Sequence, residues 1–183
     1  MVDTPCGATA GSLVDMEGDG NGWAAAPGGS RVWGRHGAAG LFLIAAEPEP
    51  ELLMQHRALW TNAGGTWALP GGARDSHEDA ADAAVRESVE ETSLDPRLIE
   101  IHRSEVTAGP FPADPDRPAL AGGWTYTTVL ALTRDGARID VDPNEESLEL
   151  RWVPLHKVED LPLMPAFREA FPRLKTLSTE LFQ

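Results

Sequence analysis

The chain has 183 residues, of which 42% are hydrophobic and 24% are charged, as expected for a single globular domain with a sizeable core. A formal net charge of −14 argues against nucleic acid or an anionic membrane as a partner, because both require a basic surface. The only cysteine, Cys6, leaves no internal disulfide and suits a reducing cytoplasm, and no stretch resembles a signal peptide or a membrane span.

The first thirty residues are rich in glycine, alanine and aspartate and show no hydrophobic periodicity. We therefore predict a partly mobile segment at residues 1–30, followed by a folded domain at residues 31–183. The acids of residues 15–22 suggest a calcium loop, but neither frame supplies the glutamate required at the twelfth position. A glycine-rich turn that leads into a short strand around Trp23 is the preferred interpretation.

A series of strands is predicted next. After a short strand at residues 32–33, residues 37–46 form a buried strand candidate that begins with small residues. The prolines of residues 47–50 indicate a turn, so residues 52–57 are expected to complete a hairpin. Residues 66–70 then deliver the chain to a turn at Gly71 and Gly72.

A helix is predicted from the region of Ser76, which can act as N-cap with Asp79 in the capping-box position, to about Thr92. At 100° per residue its side chains divide into two faces. The packing face is predicted to contain Ala81, Ala84, Val85, Ser88, Val89 and Thr92, and the opposite face contains Glu87, Glu90 and Glu91.

Three neighbouring carboxylates repel one another, since a pair about 4 Å apart costs roughly 4 kcal/mol at an effective dielectric near 20. Such a cluster must separate into water, take up protons or hold a cation. Carboxylate oxygens suit a hard ion such as Mg²⁺. A solvated acidic helix face is the alternative for the glutamates taken alone.

Beyond the helix, strands are predicted at residues 98–106, 124–133 and 148–153. The polar loop at residues 109–123 is long enough to suggest a functional role. A second amphipathic helix begins at Pro165 and places Phe167, Ala170, Phe171 and Leu174 near one face, with a kink predicted at Pro172. Together these elements predict a mixed α/β fold.

One pattern in the chain is much more specific than its composition. It consists of a glycine, five residues, a glutamate, seven residues, and then an Arg-Glu pair followed by a Glu-Glu pair and an apolar residue. The matching positions are Gly72, Glu78, Arg86, Glu87, Glu90, Glu91 and Leu94. This pattern closely resembles the Nudix box of the Nudix (MutT-like) hydrolase superfamily, with Ser88 in place of an apolar residue and Ser93 in place of the glycine that ends the helix. Ser93 makes the helix C-cap less favourable than glycine would.

The resemblance implies a central mixed β-sheet sandwiched between helices (α/β/α), and a phosphoanhydride hydrolase that uses Mg²⁺ or Mn²⁺. It implies that the acids of the box are metal ligands and that one of them is the base acting on water, with Glu87 most often given both roles. The implied ligands are the carbonyl of Gly71 and the side chains of Glu87, Glu90, Glu91 and, from a loop before the last strand, Glu146. Its neighbour Glu145 also fits that place. A solvated turn is an equally good explanation for both glutamates.

Residues around the acids of the box also receive predicted roles. Arg86 has helical partners at Asp82 and Glu90, so it either orients the acids or forms an ordinary surface pair. Glu78 is expected to make a structural hydrogen bond. For the substrate we predict Arg57, Trp67 and Gly72, although a surface arginine and a core tryptophan are the plain alternatives. Trp60, Phe111, Trp124 and Tyr126 are further aromatic candidates for stacking on a base.

We therefore expect a cytoplasmic, Mg²⁺-dependent pyrophosphohydrolase of a small nucleotide, with an oxidised or ordinary nucleoside triphosphate as the first choice. ADP-ribose or a nucleotide sugar is the second choice. A nucleotide-sensing module without activity is the third, and the complete set of box acids argues against it. The resemblance also allows a homodimer.

Overall fold

The computed structural model describes residues 18–182. The mobility predicted for the first residues and the surroundings of Cys6 therefore lie outside the described part of the chain. The strands are β1 (Trp23–Ala25), β2 (Arg31–Trp33), β3 (Ala38–Ala45), β4 (Glu51–Arg57), β5 (Trp67–Ala68), β6 (Gly71–Ala73), β7 (Ile99–Phe111), β8 (Trp124–Thr133) and β9 (Ser147–Pro154), and the helices are α1 (Ala80–Thr92) and α2 (Pro165–Thr179).

A seven-stranded mixed sheet forms the centre of the fold. Its main path is β5-β4-β3-β8-β7, with β6 paired to β3 and β9 paired to β4. The β3–β8 pair is parallel, whereas the other pairs are antiparallel. All eight residues of β3 are buried, as expected for a strand covered on both faces.

The side chains of β3 alternate between two apolar layers. Phe42 and Ile44 belong to a core with α2, which contributes Phe167, Phe171 and Leu174. Leu41 and Leu43 belong to a second core with α1, where the small Ala83 and Ala84 let the helix lie close to the sheet. The predicted α/β/α arrangement is confirmed.

The structure corrects the predicted start and faces of α1. Asp79, not Ser76, is the N-cap: its side chain accepts hydrogen bonds from the backbone N–H groups of Ala81 and Asp82 at 2.8 and 2.9 Å. The side of α1 that is buried carries Ala83 and Glu91 in addition to the predicted packing residues Ala84, Ser88 and Thr92, whereas Val85 and Val89 are only half-buried.

The remaining elements follow the prediction closely. β3, β4, β8, β9 and α2 lie where they were expected, and α2 continues through Pro172. β7 extends to Phe111, so it includes the first residues of the loop predicted at 109–123. Among the described residues, no helix is both long enough and apolar enough to cross a membrane.

β1 and β2 form a separate antiparallel hairpin in which Trp23 is opposite Trp33. Backbone hydrogen bonds hold it at both ends: Arg35 N–H donates to the Gly20 carbonyl at 2.8 Å, and Ala25 N–H donates to the Ala121 carbonyl at 2.8 Å. The boundary predicted between residues 30 and 31 falls inside this hairpin. The division into a mobile segment and a domain stays a prediction.

Candidate active site

The Gly-Gly turn brings the chain against helix α1. Gly71 has a φ of +152°, and a Cβ there would overlap the Ala39 carbonyl oxygen, so only glycine fits. A Cβ on Gly72 would overlap the carboxylate of Glu87. The N–H of Gly71 donates to Oε2 of Glu91 at 2.7 Å. The two glycines therefore allow the backbone to approach two acids of the helix directly.

The three helix glutamates have different environments. Glu91 is only 4% exposed, while the side chains of Glu87 and Glu90 are 18% and 58% exposed. The prediction that all three acids lie on the face opposite the packing residues is therefore wrong for Glu91, which is buried. The close approach of Gly71 gives that buried carboxylate a hydrogen-bond donor.

Arg86 connects the acids of the box. Its Nε and Nη2 donate to the two carboxylate oxygens of Glu78 at 2.6 and 2.9 Å, and its Nη1 donates to Oε1 of Glu87 at 2.9 Å. Nη1 also lies 3.6 Å from Glu90. The main partner is thus Glu78 in place of the predicted Asp82. A bidentate pair of this kind fixes the guanidinium plane, so Arg86 holds Glu87 in a set orientation.

Burial changes the proton affinity of the two inner acids. Desolvation raises the pKa of Glu91 to about 7, although the Gly71 N–H opposes the rise. Desolvation also raises the pKa of Glu87, against the effect of Arg86. The hydrogen bond from Arg86 lowers the pKa of Glu78. A bound cation would stabilise the ionised forms of these two carboxylates, one buried and one half-buried.

The carboxylates are not gathered into a tight cluster. Within residues 18–182, the one trio of carboxylate and imidazole groups with ligand atoms within 4.8 Å of one another is Asp75, His77 and Glu78. Asp75 accepts the Gly20 N–H at 2.6 Å, and Glu78 is bound to Arg86, so this trio joins the hairpin to the box. The donor set at the inner acids consists entirely of oxygen atoms, which fits Mg²⁺ or Mn²⁺.

A cavity of about 1050 Å³ opens beside the inner acids. We use the name acid end for its charged lining residues and the two glycines beside them, Arg57, Gly71, Gly72, Glu87, Glu91 and Glu146. We use the name aromatic end for five of its aromatic lining residues, Trp23, Trp33, Phe111, Trp124 and Tyr126. Burial, followed by the nearby charge of Glu91, raises the pKa of Tyr126, so the two sets adjoin at that ring. Such a mixture of apolar walls and a few polar groups is typical of a small-molecule site.

Most of the predicted site residues meet at the acid end. Arg57 lies there, and its charge lowers the pKa of Glu91. Glu146 lines the cavity and raises the pKa of Glu87, whereas its neighbour Glu145 is exposed. Glu90 is not among the described residues that line the cavity.

Trp67 is not placed to bind a substrate. It is 4% exposed and belongs to the core that packs on α2. Its ring stacks on His56 at 4.7 Å between centroids and lies 4.8 Å from the Arg151 guanidinium. The prediction failed because an aromatic residue in a short strand next to the box can point to either face of the sheet. His56 is half-buried by the same stacking.

Two features were not predicted from the sequence: that the strands around Trp23 and at residues 32–33 pair and line the cavity, and that Gln55 is buried. Gln55 is fully buried in β4, and its Nε2 donates to the Ser147 hydroxyl at 2.9 Å. Its buried Oε1 has no hydrogen-bond partner among the described residues. A glutamine within an otherwise apolar run was the available signal, because a buried amide requires partners.

Comparisons with known proteins agree with this geometry. Residues 34–174 match the model of the NUDIX domain. "Putative 8-oxo-dGTP diphosphatase 3" of Mycobacterium tuberculosis is 49% identical over 163 residues, which cover 88% of this chain and 71% of that protein. A nucleoside triphosphate pyrophosphatase/Nudix hydrolase fusion protein of Bifidobacterium longum is 35% identical over 167 residues, 88% of this chain and 32% of its own length.

A solved structure gives the same result for the fold. The crystal structure of the Nudix hydrolase RenU from M. smegmatis has 44% sequence identity and a TM-score of 0.78, over 88% of this chain and 96% of its own. The chain therefore belongs to the Nudix family and is a hydrolase of phosphoanhydride bonds.

Proposed function

We propose that the protein hydrolyses nucleoside triphosphates in the presence of Mg²⁺ or Mn²⁺, and that an oxidised purine triphosphate is its preferred substrate. The observation that carries this proposal is the cavity itself, whose lining combines carboxylates with aromatic rings. The M. tuberculosis relative is named for a diphosphatase of 8-oxo-dGTP, which supports the choice of an oxidised purine.

The acid end has the residues needed to hold a divalent ion. Glu87, Glu91 and Glu146 line it, and we propose that the Gly71 carbonyl and Glu90 complete the set of ligands. When bound, the ion offsets phosphate charge and makes a water molecule more acidic. Hydrolases of this family typically use divalent metals.

The protein groups around the ligands have separate roles in this proposal. Arg86 orients Glu87, and the Gly71 N–H holds one oxygen of Glu91. Glu87 is our choice for the base, because it is less enclosed than Glu91 and can accept a proton from water at the cavity surface. Arg57 supplies positive charge to a phosphate.

The same proposal covers the cellular context. The net charge of −14 favours a free nucleotide over nucleic acid as the substrate, and the single cysteine supports a cytoplasmic protein. A homodimer is an expectation from the family resemblance that light scattering tests directly.

A substrate panel tests the proposal. Purified protein with Mg²⁺ is incubated with 8-oxo-dGTP, dGTP, ATP, ADP-ribose and a nucleotide sugar, and nucleoside monophosphate and phosphate products are measured. We expect the highest kcat/KM for 8-oxo-dGTP and release of the monophosphate. Faster turnover of ADP-ribose or a nucleotide sugar would replace the proposed substrate, and binding without turnover would indicate a sensing module.

Glu145 and Glu146 provide a matched pair of variants. Glu146→Gln is expected to lower activity and metal affinity roughly 10- to 100-fold, whereas Glu145→Gln at the exposed neighbour should leave both unchanged. Equal effects of the two substitutions would remove Glu146 from the proposed ligand set.

A further inference from the structure

The β1–β2 hairpin is attached to the rest of the domain at positions far apart in the chain. Gly20 N–H donates to Oδ1 of Asp75 at 2.6 Å, and Asp75 precedes helix α1 in the chain. The indole Nε1 of Trp124 donates to the carbonyl of Trp33 at 3.0 Å. From the loop between β7 and β8, Nη2 of Arg117 donates to the carbonyl of Ser30 at 2.8 Å. The hairpin therefore has a fixed position relative to the acid end.

The rings at the aromatic end differ in how much of each is free. Trp124 is 8% exposed and stacks on Phe111, with 5.3 Å between centroids and 13° between planes. Trp23 is covered by the Arg31 guanidinium at 4.0 Å and is in edge contact with Trp33 at 5.2 Å. Trp33 itself is 40% exposed and lines the cavity. It is the ring of the hairpin that has the most surface available to a ligand.

Resting on the proposed function, we propose that Trp33 is the stacking platform for the purine base of the substrate and that the β1–β2 hairpin determines base selection. Base–aromatic stacking is favourable for every base, and a purine covers more of an indole face than a pyrimidine does. The side chain of Asn21, at the start of the hairpin, lines the same cavity and offers both donors and an acceptor to a base edge.

Trp60 is the competing platform. It also lines the cavity, and it is 68% exposed in the turn between β4 and β5. Trp33 is the better candidate because its strand is paired and its own carbonyl is held by Trp124, so little conformational freedom is lost on binding. The hairpin also lies ahead of residues 34–174, which match the family model, so this wall is a feature of the chain outside the matched region.

Binding calorimetry with Mg²⁺ separates the base from the phosphates. The two probes are a non-hydrolysable analogue of a purine nucleoside triphosphate and inorganic triphosphate, and the variants are Trp33→Leu, Trp33→Phe and Trp60→Leu. Trp33→Leu should weaken binding of the nucleotide analogue roughly 5- to 150-fold. Trp33→Phe should retain most of the affinity for the nucleotide analogue. The affinity for inorganic triphosphate should stay the same in both Trp33 variants.

Several outcomes would overturn the inference. The first is an unchanged affinity of Trp33→Leu for the nucleotide analogue. The second is an equal loss of affinity for inorganic triphosphate, which would mark a structural effect. The third is a larger loss of nucleotide affinity in Trp60→Leu than in Trp33→Leu. If Trp33→Leu does not fold, Trp33→Phe still decides. Its smaller residual loss of affinity must be greater for the nucleotide analogue than for inorganic triphosphate, and equal changes for both probes would overturn the inference. The calorimetry needs no turnover, so failure of the substrate panel leaves this test intact. Where turnover is seen, Trp33→Leu should raise KM and leave kcat within about twofold.

Discussion

The two ends of the cavity are built in different ways. At the acid end, the contacts join residues close in sequence: Arg86 reaches Glu78 eight positions away, and Gly71 reaches Glu91 twenty positions away. At the aromatic end they join distant segments, with 91 positions between Trp33 and Trp124. Most of the proposed chemistry is therefore carried by residues 71–91, to which Arg57 and Glu146 are added from other segments. The proposed recognition of the base depends more fully on how remote segments meet.

Substitution of the inner acids should have the largest effect. It should impair catalysis at the acid end without changing binding at the aromatic end. Glu87→Gln or Glu91→Gln removes a charge from the proposed metal and base site, and we expect kcat to fall roughly 10³-fold. Circular dichroism should show an unchanged fold, and the affinity of the metal-free protein for a nucleoside without phosphates should be unaffected. Near-normal rates in both variants would reject the mechanism.

The buried charge of Glu91 should also appear in the stability of the metal-free protein. Because burial raises its pKa from 4.5 to about 7, the folded state binds the proton more tightly than the unfolded chain. The resulting stabilisation is complete below pH 4.5 and is lost as pH rises through about 7. Glu91→Gln removes this dependence, so above pH 7 it should be more stable than the parent by up to about 3 kcal/mol.

Urea unfolding in EDTA at pH 5 and pH 8 measures that difference. Glu145→Gln is the control, because Glu145 is exposed and does not line the cavity. Added Mg²⁺ should stabilise the parent at pH 8 more than it stabilises Glu91→Gln. A stability gap between parent and Glu91→Gln that does not change with pH would contradict the effect of burial.

The next effect concerns the arginine that connects the acids. Arg86→Lys cannot reproduce the bidentate contact with Glu78 and the contact with Glu87 at once. We expect a 10- to 100-fold loss of kcat or metal affinity, and a similar loss in Glu78→Gln. Asp82→Asn on the same helix is the control, and a loss of equal size there would restore the pairing predicted from helical spacing.

The sequence was informative where spacing alone determines contact. The roles of Gly72 and Glu78 next to the helix follow from their positions in the motif, and both residues contact the box as a local pattern allows. The α/β/α fold was predictable as well, because strand and helix periods are local properties.

Properties that depend on which face packs inward could not be predicted. Trp67 was assigned to the substrate although it lies in the core, and Glu91 was placed on the face opposite the packing residues although it is buried. The two short strands of the hairpin were predicted, but their attachment was not, because the anchors Asp75 and Trp124 are remote in sequence and carry no pattern that identifies their partners. Ser76 was preferred over Asp79 as N-cap because both residue types favour that position.

The smallest predicted effect lies at the end of α1, where this chain departs from the family pattern. Ser93 adopts a left-handed conformation, with φ 55° and ψ 19°, and its N–H donates to the Val89 carbonyl at 2.8 Å. Because glycine has no Cβ to strain in this conformation, Ser93→Gly should stabilise the protein by about 1 kcal/mol and raise Tm by roughly 2–4 °C. Ser93→Ala keeps the Cβ and should give no gain. The effect is local, so kcat and the affinity for the nucleotide analogue should both stay at the parent value, and a change in either would show that the helix end is coupled to one end of the cavity.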